Sequence, residues 1–131
     1  MLGFLEGEDF VPEVFVEHLW LAYRRCLLTE KKPVGERVEL VDLLPELAML
    51  NQGPRFKLDP TRENFRPYGK VRLAFDLARL RKSGTLTHQG YRLSLGTATI
   101  GTTRQKDRVL YLEEGGRGQY YLSLAFSGES K

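Results

Sequence analysis

The sequence predicts a single α+β domain in which helices come first and an antiparallel sheet follows. Apolar residues recur at helical spacing in the first two thirds of the chain, and strand-like alternation replaces this pattern after Gly84. A length of 131 residues fits one domain, and 41% hydrophobic with 28% charged residues is ordinary for a folded protein. We expect N-terminal helices followed by a β-meander of three or four strands.

The first predicted helix covers residues 12–28. Phe15, Leu19 and Cys26 recur on one face, and Pro12 is acceptable in a first turn because the N–H that it lacks would have no intrahelical partner. A single cysteine excludes an internal disulfide. Because this cysteine lies in the apolar pattern, we expect it to pack in the core.

A short second helix is predicted over residues 42–50, with Asp42 as its N-cap. Counted from that cap, Pro45 is the third helical residue, where proline breaks no intrahelical hydrogen bond. Residues 37–40 either form a short strand or enter this helix directly. Residues 51–67 are rich in proline, glycine and polar residues and predict a long loop with one helical turn.

The third predicted helix begins at Pro67 or Tyr68 and ends at Ser83, with Gly84 in a left-handed position after its last turn. Its apolar spacing predicts two sets of side chains. Facing inward we expect Val71, Leu73, Ala74, Leu77, Ala78 and Leu80; facing outward we expect Arg72, Asp76, Arg79 and Lys82.

Strands are predicted near residues 91–95, 108–112 and 119–126. The glycine run at residues 115–118 precedes a strand and lacks the lysine and hydroxyl of a Walker-type phosphate loop, so it predicts a hairpin turn. We expect the tail, residues 127–131, to fray.

Positive charge is segregated along the chain. Residues 54–108 contain thirteen Lys or Arg against four Asp or Glu, whereas residues 1–53 contain five against ten. We therefore divide the domain into an acidic helical half (1–53), a basic loop, helix and hairpin (54–108), and C-terminal strands (109–126). A basic block of this kind is typical of a surface that meets a polyanion, and it is also compatible with an ordinary solvated helix face.

The order of a short helix, a connection, a second helix and a hairpin resembles the winged-helix superfamily of DNA-binding domains. The resemblance covers residues 38–124, and its sharpest part is Leu-x-x-Leu-Arg-Lys-Ser-Gly-Thr-Leu at residues 77–86. It implies that the third helix reads the major groove and that residues 101–107 form a wing. The implied nucleic-acid-binding residues are Tyr68, Lys70, Arg72, Arg79, Arg81, Lys82, Thr102, Thr103, Arg104 and Lys106, and a secondary basic surface comprises Arg55, Lys57, Arg62 and Arg66.

The sequence gives little support for a catalytic site or a metal site. His18 and His88 are far apart, there is no metal-ligand spacing, and the adjacent carboxylates of Glu113 and Glu114 would point to opposite faces of a strand. We expect no cofactor and no enzymatic activity. No apolar run of membrane-spanning length is present, so we expect a cytoplasmic protein, and the excess of Arg over Lys suits a thermophilic or GC-rich source.

Two functions from different classes remain open. The first is a regulator of transcription that binds duplex DNA through the third helix and the wing, as a homodimer if the N-terminal helix self-associates. The alternative is a non-enzymatic protein-interaction module that docks on a larger machine, such as RNA polymerase or a replication assembly.

Overall fold

A computed structural model of the chain describes residues 10–98, 108–114 and 116–128. In this part of the chain, four α-helices lie toward the N-terminus and an antiparallel five-stranded sheet is completed toward the C-terminus. The α+β class predicted from the sequence is confirmed.

Four helices and one 3-10 turn form the helical part of the described chain. They are α1 (Pro12–Glu30), α2 (Leu40–Leu50), α3 (Pro54–Leu58), the 3-10 turn (Arg62–Asn64) and α4 (Lys70–Ser83). The strands are β1 (Val38–Glu39), β2 (Thr87–His88), β3 (Tyr91–Thr97), β4 (Leu110–Glu114) and β5 (Arg117–Gly128).

The long strand β5 organises the sheet, whose order is β1-β5-β3-β2 with β4 also paired to β5. Leu124 is paired with Leu95 of β3 and with Val38 of β1, so β3 and β1 lie on opposite edges of β5. Strand β4 pairs with the first part of β5, beginning at Glu114 and Arg117. The pairing of Glu114 with Arg117 and the left-handed turn residue Gly116 agree with the predicted hairpin. Strand β1 connects the helical half to the sheet.

The hydrophobic core lies between α1, α2 and α4 on one side and the sheet on the other. Trp20 of α1 stacks on Tyr91 and meets the ring of Phe126 edge-on at 5.3 Å. Tyr23 is fully buried, and its hydroxyl donates a hydrogen bond to the Glu36 carbonyl at 2.7 Å. Cys26 is buried in the same core, as predicted.

Several element boundaries differ from prediction. Helix α2 begins at Leu40, directly after β1, so Pro45 is its sixth residue and not its third. The N-cap is Glu39, and Asp42 lies in the first turn. The Asp42 carboxylate instead accepts a hydrogen bond from Arg108 at 3.2 Å. Within the predicted loop, helix α3 was not expected. At the other end, the sheet continues to Gly128, where a frayed tail was predicted.

Candidate docking surface on helix α4

Helix α4 ends as the sequence predicts. Gly84 has φ +79° and caps the helix, its N–H contacting the carbonyls of Leu80 and Arg81. A left-handed residue after the last turn satisfies these carbonyls, and glycine takes that conformation without steric cost. The buried side of the helix consists of Leu73, Leu77 and Leu80, which anchor α4 in the core.

The outward face of α4 is largely apolar. Val71 is 81% exposed and Phe75 is 37% exposed, Ala78 is half-buried, and Lys82 is exposed at the end of the row. These four residues recur at helical spacing along one face, and we call them the α4 strip. The prediction that Val71 faces the core is wrong, and Ala78, also predicted to face inward, is only half-buried on this row.

Asp76 lies on the inner flank of α4 and binds three neighbouring side chains. Its carboxylate is 3% exposed, although the sequence predicted an outward position. It accepts a hydrogen bond from the Tyr68 hydroxyl at 2.8 Å, contacts Arg72 Nε at 3.2 Å, and accepts a hydrogen bond from Arg79 Nη2 at 2.6 Å. Two guanidinium groups therefore compensate one buried carboxylate, as a buried charge requires.

Aromatic rings complete the surroundings of this network. The Arg79 guanidinium lies 4.0 Å from the ring centroid of Phe10 and 4.5 Å from that of Phe75, in cation–π contact with both. Its Nε and Nη1 atoms are buried and have no hydrogen-bond partner among the described residues. Burial first, and then the Asp76 charge, raises the pKa of Tyr68, so its hydroxyl stays protonated as a donor.

A groove separates the first turn of α1 from α4. Val11 and Val14 form one wall and are 49% and 47% exposed, whereas Arg72, Asp76 and Arg79 form the other. The pocket within it has a volume of about 140 Å³, and its remaining lining residues are Phe10, Phe15, His18 and Asn51. We call it the α1–α4 groove.

Most helix residues assigned to nucleic acid make contacts within the protein. Tyr68 is buried, and Arg72 and Arg79 are held by Asp76, so these three do not form a row of outward hydrogen-bonding groups. Arg81 donates to the Tyr121 hydroxyl at 2.9 Å. Of the assigned helix residues, Lys82 is exposed and Lys70 is half-buried.

The secondary basic surface lies on the segment between α2 and α4. Its members Arg55, Lys57, Arg62 and Arg66 are all exposed. Gln52 fixes this segment, because its buried amide both donates to the Arg66 carbonyl and accepts from the Arg66 N–H, each at 2.8 Å. The proposed wing, with Thr102, Thr103, Arg104 and Lys106, lies outside the described residues.

Other reactive groups do not form a site in the described part of the chain. Burial, with Glu46 and Asp42 adding to it, raises the pKa of the Cys26 thiol to about 11, so the thiol is protonated at neutral pH. Burial lowers the pKa of His18, opposed by Glu17. No group of three His, Cys, Asp or Glu that could hold a metal ion occurs among residues 10–98, 108–114 and 116–128.

Comparison with protein-family models, curated proteins and solved structures gave no match for this chain. None of the helices in the described ranges has the length and apolar character needed to cross a membrane.

Two features of this surface differ from what the sequence predicts. One is the position of Asp76 between two arginines. The sequence contains a sign of it, because Asp76 lies four residues after Arg72 and three before Arg79, and helix side chains at both spacings meet. The other is the α4 strip, which had a weaker signal because valine, phenylalanine and alanine on a helix ordinarily predict a buried face.

Proposed function

We propose that this protein is a non-enzymatic interaction module that docks on another protein through the α4 strip and the adjoining α1–α4 groove. One observation carries the proposal: the outward face of α4 presents Val71 and Phe75 to solvent, although the helix has a separate buried face. Exposed apolar residues grouped on one helix, rather than scattered singly, mark a surface that a partner covers.

The chemistry of the strip fits a protein better than base edges. Direct readout of duplex DNA requires hydrogen-bonding side chains on the face that enters the major groove. Lys82 is the single member of the strip with such a group, while the guanidinium groups of Arg72 and Arg79 are bound to Asp76. Apolar anchors beside a groove are instead the arrangement by which proteins receive a partner helix.

Site-specific photocrosslinking tests the proposal. A benzophenone amino acid replaces Val71, and in a matched control it replaces Leu58, which is 87% exposed but lies on α3. In extracts of the source cells, we expect position 71 to form a discrete protein adduct that position 58 does not form. Equal labelling at the two positions, or none at either, would contradict the proposal.

A double substitution provides an independent measurement. Val71→Ser with Phe75→Ser removes the apolar groups while leaving the buried face of α4 unchanged. We expect co-purification of the crosslinked partner to fall at least about tenfold, because interface anchors commonly contribute more than about 1 kcal/mol each. Retention within twofold of the unsubstituted chain, with the variant folded by circular dichroism, would exclude the strip as the docking site.

Duplex DNA remains the second candidate, and the arrangement of α4 favours it. This helix has Arg81 and Lys82 in its last turn, is capped by Gly84 and leads into antiparallel strands, as the winged-helix resemblance implies. Contacts made by these cations to phosphates would bind DNA without reading its sequence.

Fluorescence anisotropy with a labelled duplex separates the two candidates. If phosphates are contacted, affinity falls steeply with salt, with a log–log slope of about −0.9 per contact. Lys82→Glu should then weaken binding, whereas Arg92→Glu on the outer face of β3 should not. Lys82 is a better choice than Arg72 or Arg79, whose reversal would also disturb the Asp76 network. No retention at low salt would remove the DNA candidate.

A further inference from the structure

We infer that this protein also binds single-stranded nucleic acid, on a surface that shares no residue with the α4 strip or the α1–α4 groove. This surface lies on the exposed segment between α2 and α4, and we call it the α3 surface. It consists of Arg55, Phe56, Arg62, Phe65 and Arg66. A base of the strand stacks on the two rings, and the arginines contact the phosphates that flank this base.

Two aromatic rings lie at this surface, outside the core. The ring centroids of Phe56 and Phe65 are 5.7 Å apart, and the rings meet edge-on with 66° between their planes. Phe65 is 40% exposed and Phe56 is half-buried, and neither belongs to the core cluster of the described residues. An exposed ring offers a face on which any base can stack, so the pair favours a ligand that brings an unstacked base.

The arginines of the α3 surface differ from those of α4, because the protein does not engage them. Arg55, Arg62 and Arg66 are exposed, and among the described residues none of their guanidinium groups forms an ion pair or a hydrogen bond. Arg55 and Arg66 line one pocket together with both phenylalanines, and its volume is about 210 Å³. A cavity of about 150 Å³ admits benzene, so this pocket has room for the ring of a base. Guanidinium groups bind phosphate oxygens through paired N–H donors and can hold the backbone on either side of that base.

Hydrogen bonds fix Arg66 before any ligand binds. The buried amide of Gln52 links the Ala48 carbonyl of α2, at 2.6 Å, to the main-chain N–H and carbonyl of Arg66, each at 2.8 Å. The Arg66 guanidinium lies against Gly53, where an added Cβ would come within 2.7 Å of Nη2. A surface fixed in this way loses less conformational entropy on binding than a free loop does.

One acid, Glu63, lines the same pocket. Its carboxylate repels a phosphate but can accept a hydrogen bond from an N–H group on the edge of a base, so the base and not the phosphate belongs beside it. Because every base carries such an N–H group, we expect binding without strong sequence preference.

Rings and open arginines together favour a single strand over a duplex or an acidic peptide. In a duplex, neighbouring base pairs cover the faces of each base, so the rings of the α3 surface would have nothing on which to stack. An acidic peptide would bring carboxylates close to Glu63 and no base to the rings.

Photocrosslinking identifies the contact directly. A strand of about 12 nucleotides with one 5-iodouracil at its centre, made once as DNA and once as RNA, is irradiated with the full chain, and the crosslinked peptide is identified by mass spectrometry. We expect adducts on Phe56 or Phe65, which an excess of unlabelled strand removes and an excess of paired duplex does not. Adducts on Tyr111 or Tyr120, which form another exposed aromatic pair, would overturn the inference, as would displacement by the duplex or no adduct with either strand.

The salt dependence of binding counts the phosphate contacts. Each phosphate of a single strand that a cation neutralises adds about −0.7 to the log–log slope, so Arg55→Gln/Arg66→Gln should reduce the slope measured by fluorescence anisotropy by about 1.4. Lys57→Gln/Arg92→Gln makes the same change in net charge and should leave the slope nearly unchanged, because Lys57 lines a different pocket and Arg92 lies on β3. Equal reductions by the two pairs would show that net charge alone holds the strand, and would overturn the inference.

Removal of a single ring separates this inference from the proposed docking function. Phe65→Ala should weaken strand binding at least about fivefold, because the base loses its stacking partner. Phe75→Ala removes a ring of similar exposure, 37%, from the α4 strip and should leave strand binding within about twofold. With both variants folded by circular dichroism, dependence on Phe75 and not on Phe65 would overturn the α3 surface as the site. Protein docking is measured by the adduct at position 71, so either proposal can fail while the other stands.

Discussion

At the scale of single residues, Asp76 determines where two arginines of α4 lie. Its carboxylate holds Arg72 and Arg79 against the flank of the helix that faces α1, and Tyr68 supplies a third contact. With the two arginines on this flank, Val71 and Phe75 occupy the outward face. The buried acid thus gathers the arginines of one flank, while the buried Leu73, Leu77 and Leu80 fix the rotation of the helix.

Removing this carboxylate should destabilise the protein strongly. In Asp76→Ala, two guanidinium groups lose their common partner inside a largely buried network, and breaking a buried pair by removing one member costs about 3–5 kcal/mol. Urea denaturation followed by circular dichroism measures the free energy of unfolding. Asp59→Ala, at an exposed aspartate, is the matched control and should stay within about 0.5 kcal/mol of the unsubstituted chain. A similar small effect at Asp76 would contradict the role described for it.

Gly118 lies under a close approach of an aromatic ring. Tyr111 of β4 lies across it, and a Cβ added at Gly118 would overlap the phenol group. Because Tyr111 is 49% exposed, its ring can move away at the loss of its contact with Tyr120, so Gly118→Ala should cost about 0.5–1.5 kcal/mol in stability. The double substitution Gly118→Ala/Tyr111→Ala removes the overlap and should be less destabilised than the sum of its single substitutions. Strict additivity would mean that the ring does not restrict this position.

The sequence predicts residue positions on α4 only in part. Leu73, Leu77 and Leu80 are buried as predicted, and Gly84 caps the helix. Val71 is exposed and Asp76 is buried, the reverse of the prediction. The prediction failed because it used hydrophobicity alone, which places an aspartate outside and a valine inside. The environment of Asp76 is set partly by its near neighbours Tyr68, Arg72 and Arg79, and partly by α1, which lines the groove beside it and is distant in sequence.

At the scale of elements, α2 begins two residues earlier than the sequence predicts, and this changes the structural roles of Asp42 and Pro45. The helix begins at Leu40 because β1 leads into it without a loop, and this places Pro45 inside the helix. Proline has no N–H, so the Val41 carbonyl lacks the partner that an intrahelical bond would provide. From sequence, Asp42 was a natural cap, but its carboxylate is engaged by Arg108, a contact across 66 residues that no local pattern reveals.

Replacing this proline should raise stability. Pro45 is exposed, so Pro45→Ala restores an N–H for Val41 without disturbing the core. The gain in the helix is partly offset by the greater freedom of the unfolded chain, and we expect a net increase of about 1 kcal/mol. Thermal unfolding measures it, with Met49→Ala at an exposed position of the same helix as the comparison. A lower melting temperature for Pro45→Ala would show that the proline is needed where it is.

At the scale of the whole molecule, the order of elements was predictable and their assembly was not. Periodicity predicts helices before strands, and glycines mark the turn between β4 and β5. The pairing of β1 with β5 joins residues 38–39 to residues 123–124, a long-range contact that carries no local signal. That pairing connects the helical half to the sheet, and one core cluster includes residues of both.

This connectivity predicts a single unfolding transition. One core cluster joins α1, α2 and α4 to the sheet, and domains of this size with one core usually unfold in two states. Trp20 reports on the helix–sheet interface, because it stacks on Tyr91 at 4.8 Å, while circular dichroism at the helix band reports on the helices. In urea, both signals should give the same midpoint. Tyr91→Ala removes the stacking partner and should lower both midpoints together, since the sheet cannot loosen without the helices. Tyr91→Ala could instead lower the urea midpoint of the fluorescence and leave the midpoint of the helix band unchanged. In that case the helical half is an independent unit, and β1 does not couple it to the sheet.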